Sequence, residues 1–451
     1  MRWTILLIFF LLLCGSCRKL LDPGDPVDGA TSGTIYQSDA SAAAVLTGLF
    51  YNMSNDGAFM GGEGLSYLCG LSADEFLLQQ EDELPLSMYK NQVTPHNIPV
   101  WRLLYQYIYQ ANAAIEGLTA STRLTPAIRQ QLIGEAKFVR AFCYFYLVNL
   151  FDEVPLVTGT DYKVNASMRR TPVVKVYELI VQDLEAAASL LRTDYLQADM
   201  VSVSTDRLRP NKWAATALLA RVQLYQHNWQ AAIIAASALI DNNTVYDTVP
   251  LARVFLTDSK EAIWQIQPVN GVFTGDALLF IQQRPVLAAP AFMQAFEKGD
   301  LRKEYWLGGS DPYPYKYKAV DPSILSREYL MVLRLAEQYL IRAEARLHSG
   351  DKTGALEDLM VIRRRAGLPV PDINGTGPLD DAIQHERQVE LFSEWGHRWL
   401  DLKRTHKVNT VMNAAAAAKG GDWKAYQQWY PIPYSEILLN PNLTQNEGYA
   451  E

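Results

Sequence analysis

Cysteine and histidine are scarce, and this scarcity removes several classes of site at the outset. The 451 residues contain four cysteines and six histidines, and two of the cysteines, Cys14 and Cys17, lie at the extreme N-terminus. The other two, Cys69 and Cys143, could form one disulfide but do not require one. His385 begins the zinc-protease pattern HExxH, but a valine replaces the second histidine. We therefore expect no metal site and no metalloprotease.

Clustered positive charge and long apolar runs are also missing. The net charge is −8 and the lysines and arginines form no cluster, which argues against a nucleic-acid partner. The longest apolar run, Thr4–Leu13, is too short to cross a bilayer. No GxSxG serine is present, and the glycines at 61–64 lack the spacing of a phosphate loop. Hydrolase chemistry therefore has no visible nucleophile.

The N-terminus reads as an export and lipidation signal. Residues 1–16 combine the positive charge of Arg2 with the short apolar run, and the small residue Ser16 precedes Cys17. A cysteine in this position resembles a bacterial lipobox, so we expect Cys17 to carry lipid that holds the protein on a membrane. A plain secretory signal is the alternative. Residues 17–36, rich in Gly, Pro and Asp, predict a tether.

The most regular pattern lies at residues 330–368 and predicts two antiparallel helices. Apolar residues spaced by three and four place one side of the first helix inward, and they are Leu333, Ala336, Leu340, Ala343 and Leu347. Gly350 ends this helix, and Gly367 ends the second one after three arginines. Residues 219–233 repeat the pattern, with Ala220 matching Ala343. Such pairs resemble tetratricopeptide units, although an ordinary antiparallel helix pair is the alternative.

The rest of the chain divides by periodicity. Helical spacing occupies 38–53, 101–240 and 329–404. The loop-rich parts are 54–100, which we expect to form a long surface excursion, and 241–328, where short strand-like runs such as Ala262–Ile266 alternate with loops. The sequence therefore predicts a mainly α fold with a large irregular part.

Three acids could suggest glycosidase chemistry, but their spacing favours ion pairing. Glu386, Glu390 and Glu394 follow one another at intervals of four along one side of a predicted helix. A glycosidase needs two carboxylates facing each other across the sugar, which one helix face does not supply. We expect these acids to pair with nearby arginines, namely Arg387, Arg398 or Arg404.

Aromatic residues on loops are the best candidates for ligand contacts. Trp306, Tyr313 and Tyr315 lie in one predicted loop, and Tyr89 lies in the first excursion. Flat rings with a polar edge suit stacking on sugars, and loops held by a rigid scaffold commonly carry binding residues. The alternative is that these rings anchor the loops to the helical layer.

Taken together, these features resemble the SusD/RagB family of surface lipoproteins of the Bacteroidetes. The residues that carry the resemblance are spread from Cys17 to Tyr449: Cys17–Asp22, Glu135–Ala141, Asp152–Leu156, Arg334–Glu337, Arg342–Ala345, Glu386-Arg387, Asp401–Arg404, Pro431–Pro433 and Asn440–Asn446. No single motif is decisive, but their order and spacing are specific.

The resemblance implies a non-enzymatic binding protein formed by one domain at 37–451, with about four tetratricopeptide-like helix pairs and a loop-rich ligand-binding half. Family members bind glycans at the outer membrane, face the extracellular side and deliver the ligand to a SusC-like TonB-dependent transporter. A peptide ligand is the alternative, and a glycoside hydrolase is less favoured. No cofactor is implied, and the sequence does not reveal whether calcium binds.

The resemblance also directs attention to the segment after Asp74-Glu75. Starch-binding members carry tryptophans shortly after a similar Asp-Glu pair, whereas this sequence has Leu, Gln and Gln at 78–80. The implied ligand contacts therefore include Asp74, Gln80 and Glu83, together with the aromatic residues of the 306–317 loop.

Overall fold

The computed structural model describes residues 32–449 except 56–58, 60, 61, 63, 97, 269–272, 322–326 and 374–378. The predicted signal peptide, Cys17 and most of the tether lie outside the described residues. Within them, the ranges with helical periodicity do form helices, and the mainly α fold class is confirmed.

The helices and strands are numbered in chain order. The longer helices are α1 (Asp39–Asn55), α2 (Leu65–Ser72), α3 (Glu83–Tyr89), α4 (Pro99–Ala120), α5 (Pro126–Phe151), α6 (Val173–Leu190), α7 (Lys212–Tyr225), α8 (Trp229–Ile240), α9 (Leu335–His348), α10 (Lys352–Arg365), α11 (Leu379–Glu390), α12 (His397–Arg404) and α13 (Val408–Ala418). Shorter helices span Ser32–Ile35, Tyr162–Asn165, Gly275–Ala277, Pro290–Met293, Arg302–Trp306 and Tyr434–Leu439. The strands are β1 (Phe76–Leu78), β2 (Ala262–Ile266), β3 (Val286–Ala288), β4 (Leu307–Gly308), β5 (Tyr313–Pro314) and β6 (Leu330–Arg334).

The long helices stack in chain order into one layer. From α4 to α10, each helix packs against the next, and α11 packs against α9. Short connections join α4 to α5, α7 to α8, α9 to α10 and α11 to α12, which gives four helix pairs. Gly350 has φ +91° in the turn after α9, a conformation that side chains disfavour. The matched residues Ala220 and Ala343 are both fully buried, as close helix packing requires.

Among the described residues, three two-stranded antiparallel sheets connect segments of the loop-rich half. β1 pairs with β3, β2 with β6, and β4 with β5. The strand predicted at Ala262–Ile266 is confirmed with the same bounds, and Trp264 lies opposite Leu333 of β6. The placement of Leu333 on a helix face is therefore wrong. The helix begins only at Leu335, because the five preceding residues pair with β2 and are buried on both faces.

Residues 54–100 contain more regular structure than expected. Helix α2, strand β1 and helix α3 lie in this range, and every residue of α2 is buried. The prediction of a long surface excursion is therefore wrong. A short helix that is buried on all sides shows no alternation of apolar and polar residues, so its sequence does not reveal a helical period.

The two cysteines left open by the sequence are unpaired. Cys69 in α2 and Cys143 in α5 are both buried free thiols. Burial raises the pKa of Cys69 to about 12, so this thiol stays protonated at neutral pH. Cys143 lies within the most heavily buried stretch of α5 and packs as an apolar side chain.

Candidate functional site

One corner of the loop-rich half is formed by the end of β1 and the start of β3. Leu78 lies opposite Val286, and the backbone N–H of Gln79 donates to the carbonyl of Pro285 over 2.8 Å. A single π-helical turn, Leu278–Gln283, leads into this corner. Such turns are rare and recur at functional sites.

Arg284 follows this turn in a left-handed conformation with φ +50° and ψ +53°. A non-glycine residue adopts this conformation uncommonly. The side chain is exposed, and its guanidinium lies 4.4 Å from the centroid of the Tyr313 ring, within the range of a cation–π contact. Arg284 is the residue that the sequence reasoning missed, because neither its conformation nor its contact with Tyr313 has a signal in the sequence.

Tyr313 and Tyr315 provide the aromatic part of this corner. Tyr313 lies in β5 over Gly308, where a Cβ atom would meet the ring at 2.7 Å, so the glycine makes room for the ring. Tyr315 stands edge-on to Tyr313, with ring centroids 6.0 Å apart at an angle of 88°. Tyr315 is half-buried, and burial raises the pKa of its hydroxyl. It therefore stays a hydrogen-bond donor at neutral pH.

Two exposed amides complete the corner. Gln79 and Gln80 follow β1 directly and are exposed, next to the Pro285 carbonyl that binds Gln79. We call the set Gln79, Gln80, Arg284, Tyr313 and Tyr315 the tyrosine–arginine face. Tyr313 is only 8% exposed and supports Arg284, so the face offers the half-buried ring of Tyr315, a cation and amide groups to a ligand.

The structure brings some of the predicted ligand contacts together and separates others. Gln80, Tyr313 and Tyr315 belong to the tyrosine–arginine face, and Glu83 is exposed at the start of α3. Asp74 instead makes a two-pronged ion pair with Arg398, with both N–O distances 2.7 Å. This ion pair is enough to explain why Asp74 lies where it does, without a role in ligand binding.

Tyr89 and Trp306 are buried. Tyr89 is 8% exposed at the end of α3, with the ammonium of Lys419 4.9 Å from its ring centroid. Trp306 ends the short helix Arg302–Trp306, is fully buried, and donates from its indole nitrogen to the Leu251 carbonyl over 3.2 Å. The placement of Trp306 on a loop surface is therefore wrong. The ammonium of the buried Lys316 lies 4.8 Å from the centroid of the Trp306 ring, within the range of a cation–π contact.

The three acids Glu386, Glu390 and Glu394 lie in a buried ion-pair network and not on a helix surface. Their side chains are at most 5% exposed. Their partners come from distant parts of the chain: Glu386 pairs with Arg302 and Arg363, Glu390 with Arg302, Arg334 and Arg365, and Glu394 with Lys316 and Arg334. The expectation of ion pairing is confirmed, whereas the expected partners and the surface location are wrong.

The expected partners bind other acids. Arg387 pairs with Asp401, Arg404 pairs with Asp401 and Glu344, and Arg398 pairs with Asp74. Arg387 follows Glu386 directly in the sequence, but adjacent residues of a helix point in different directions, so their side chains do not meet. Spacing along the sequence therefore could not identify partners that fold in from 84 residues away, as Arg302 does to reach Glu386.

Neighbouring cations keep Glu390 ionised, and burial closes the network to substrate. Although burial opposes ionisation of Glu390, the guanidiniums of Arg365, Arg334 and Arg302 hold its pKa far below the usual range. Burial lowers the pKa of Lys316 to about 8. Because every carboxylate oxygen in this layer faces a cation inside the protein, these acids do not flank an open cleft as a glycosidase pair would.

No group of three metal-binding side chains is assembled among the described residues. Within the same part of the chain, no helix combines the length and apolar character that a membrane span requires.

Comparisons with known proteins identify relatives over the whole chain. The family model described as "SusD family" matches residues 310–449, and the one described as "Starch-binding associating with outer membrane" matches residues 45–224. A SusD-like protein of Formosa agariphila is 25% identical, with 99% of each chain covered. The starch-binding protein SusD of Bacteroides thetaiotaomicron is 35% identical over 130 residues, which cover 26% of this chain and 21% of that protein.

Solved structures share the fold. A SusD superfamily protein from Bacteroides vulgatus superimposes with a TM-score of 0.78 at 20% identity, covering 91% of this chain and 99% of that one. A structure described as a laminarin binding SusD-like protein gives a TM-score of 0.75 at 23% identity, covering 92% of this chain and all of that one. The stacked helix pairs and the loop-rich half are therefore an arrangement that these proteins have in common.

Proposed function

Because the chain belongs to the SusD/RagB family, we propose that it is a glycan-binding surface lipoprotein that captures oligosaccharides and delivers them to a SusC-like TonB-dependent transporter. Association with the outer membrane agrees with the description of the family model that matches residues 45–224. In this proposal lipid on Cys17 holds the protein at that membrane, facing the extracellular side. The tyrosine–arginine face provides the ligand contacts.

The observation that carries the proposal is the half-buried ring of Tyr315, which stands edge-on to Tyr313, while the exposed Arg284 packs on the buried ring of Tyr313. Ring faces stack on the apolar faces of sugars, while a guanidinium and amides bind hydroxyl groups. Two similar proteins, one described as starch-binding and one as laminarin-binding, support a carbohydrate as the ligand class. Since glutamines follow β1 here, we do not assign starch itself.

The positions of the three glutamates support a protein that binds its ligand without catalysis. Glu386, Glu390 and Glu394 are buried and paired with cations, so they do not meet the requirement for two carboxylates on either side of a sugar. We therefore propose no catalytic residue.

Calorimetry on the protein starting at Arg18 tests the ligand class. Maltohexaose, laminarihexaose and xylohexaose form one panel, and a tripeptide mixture forms the other. We expect one of the glycans to bind in the micromolar to millimolar range. Tyr315→Ala should weaken that binding about 2- to 13-fold, since one aromatic contact contributes about 0.5–1.5 kcal/mol. Tyr162→Ala removes a ring that is 74% exposed on the short helix Tyr162–Asn165, outside the tyrosine–arginine face, and should change nothing. Binding of tripeptides alone, or release of glycan products, would contradict the proposal.

The anchor and the partner need separate tests. Cys17→Ala should abolish labelling by radioactive palmitate and release the protein from the outer membrane, whereas Cys14→Ala should retain both. A wild-type protein purified from outer membranes in mild detergent should bring down a large TonB-dependent barrel. Label retained by Cys17→Ala would overturn the anchor, and purification without any such barrel would overturn the partner.

A further inference from the structure

A cleft of about 630 Å³ lies between α1, the segment 196–209 and the end of β2. None of its lining residues belongs to the tyrosine–arginine face. Pockets that hold small ligands typically measure about 300–1,000 Å³, so the cleft has room for part of a ligand chain.

Arg209 forms the floor of the cleft, and Glu135 holds its guanidinium in place and neutralises its charge. The Arg209 guanidinium donates to both oxygens of Glu135, over 3.0 and 2.6 Å, and to the Thr47 hydroxyl over 2.8 Å. It also lies 5.7 Å from the Phe50 ring centroid. Glu135 is fully buried and Arg209 is 6% exposed. Because Glu135 already balances the guanidinium, the floor does not require an anionic ligand.

The walls combine apolar residues with polar groups, and all but one of these polar groups are uncharged. Gln197, Ser204, Thr205 and Gln267 supply amides and hydroxyls, and Asp206 supplies a carboxylate. Groups of this kind both donate and accept hydrogen bonds, as the hydroxyls of a sugar require. The single carboxylate disfavours an acidic ligand.

Gln265 is among the cleft residues, but its side chain gives the cleft no open acceptor. Its side chain is fully buried, and its amide nitrogen donates to the Leu256 carbonyl over 3.1 Å. Its side-chain oxygen has no hydrogen-bond partner within the described part of the chain. This oxygen has almost no accessible surface, so a ligand bound in the cleft would not reach it.

Tyr51 places an aromatic ring at the opening of the cleft, and hydrogen bonds hold the segment on the opposite side. Tyr51 of α1 is 53% exposed and lines the opening. Across from it, the segment 196–209 begins with a hairpin that a bridge between Leu196 and Val203 closes. The Asp199 side chain accepts from the backbone N–H groups of Val201 and Ser202 in this hairpin. An exposed ring on a helix opposite a hydrogen-bonded hairpin can stack on a sugar without rearrangement.

We propose that this cleft is a second binding site for a neutral oligosaccharide, separate from the tyrosine–arginine face. The ligand class rests on the proposed function, whereas the site itself rests on the volume of the cleft, its neutral floor, its polar wall groups and the exposed ring of Tyr51. Two sites on one chain let a long glycan bind at two points, which raises its overall affinity above that of either site.

The test places a fluorescent reporter in the cleft. Tyr51→Trp is titrated with maltohexaose, laminarihexaose, xylohexaose and hexagalacturonate, and Tyr162→Trp serves as an exposed control on another helix. We expect at least one neutral hexasaccharide to shift the emission of Tyr51→Trp saturably, with hexagalacturonate at least 10-fold weaker and with no response from Tyr162→Trp. The shift should persist when Arg284→Ala and Tyr315→Ala are added, because those residues belong to the other site.

The outcomes separate the two proposals. If calorimetry detects a glycan whose binding Tyr315→Ala weakens, but no probe changes the emission of Tyr51→Trp, the second site is overturned and the proposed function stands. A cleft response that disappears in the Arg284→Ala, Tyr315→Ala background also overturns a separate site. If all probes fail by both methods, both proposals are overturned. A stronger response to hexagalacturonate than to every neutral probe overturns the neutral ligand class.

Discussion

The helical layer and the loop-rich half are built from different contacts. In the helical layer, small residues such as Ala220 and Ala343 let neighbouring helices approach, and a separate apolar cluster joins α9, α10 and α11. In the loop-rich half the strands are two to five residues long, and they contribute few backbone hydrogen bonds. A scaffold can thus be held by repeated apolar packing, whereas the half that it carries requires contacts of another kind.

The buried ion-pair network supplies those contacts. Arg302 and Lys316 come from the loop-rich half, and they reach Glu386, Glu390 and Glu394 at the end of α11. Apolar contacts are non-directional, whereas each of these ion pairs fixes one atom against another. We attribute the position of the loop-rich half on the helical layer to this network, and the following experiments test that view.

The largest effect should come from removing a cation of the network. Arg334 donates from all three of its side-chain nitrogens, to Glu261, Glu390 and Glu394. Arg334→Met leaves buried carboxylates without their partner, and we expect a loss of about 3–5 kcal/mol in the free energy of unfolding. Denaturant titration followed by circular dichroism measures this loss.

Arg253→Met is the matched control for Arg334→Met. Arg253 pairs with Asp258, and both side chains are more than half exposed. An exposed pair contributes about 1 kcal/mol at most, so the control should unfold almost like the parent. Equal effects of the two variants would contradict the view that burial makes the network important.

The helical layer should respond to added volume. Ala343 is fully buried where α9 contacts its neighbours, so Ala343→Leu should destabilise the protein by about 1–3 kcal/mol through overpacking. Ala414→Leu makes the same change at an exposed position of α13 and should be nearly neutral. An unchanged melting temperature for Ala343→Leu would refute close packing at this position.

These residues also show what a sequence can and cannot reveal. Ala343 belongs to a series of apolar residues with the period of a helix, which is a local signal, so the helical layer was predictable. The turn at Gly350 and the position of Tyr315 near an open surface were predictable as well. The partners of Glu386 were not, because Arg302 lies far away in sequence and meets it only after folding. Trp306 was misplaced for the same reason: a tryptophan on a polar loop looks exposed until the buried cations beside it are known.

A pH effect should arise at the border between the two halves. Glu75 precedes β1, and burial, assisted by the charge of Asp74, raises its pKa to about 8. The unfolded carboxyl loses its proton near pH 4.5, so the folded state binds more protons between pH 4.5 and pH 8. The contribution of Glu75 to stability therefore falls as the pH rises through this window, by at most about 1.4 kcal/mol per pH unit.

Glu75→Gln should remove that slope. We expect the variant to gain stability relative to the parent as the pH rises from 5 to 7.5, measured by urea unfolding at matched ionic strength. Glu304→Gln, at an exposed position, should keep the slope of the parent. Parallel curves for the parent and Glu75→Gln would show that Glu75 is ionised in the folded protein.

The smallest change in stability should accompany a change in binding. Gln80 is exposed at the tyrosine–arginine face and makes no contact that holds the fold among those described, so Gln80→Ala should alter stability by less than about 0.5 kcal/mol. If its amide binds a glycan, the loss of one or two hydrogen bonds should weaken binding by about 0.5–1.5 kcal/mol, or about 2- to 13-fold. Gln130→Ala, exposed on α5, is the control that should change neither quantity. A drop in stability equal to the drop in binding free energy would place Gln80 with the structural contacts of the loop-rich half, because a surface residue that serves only the ligand affects binding alone.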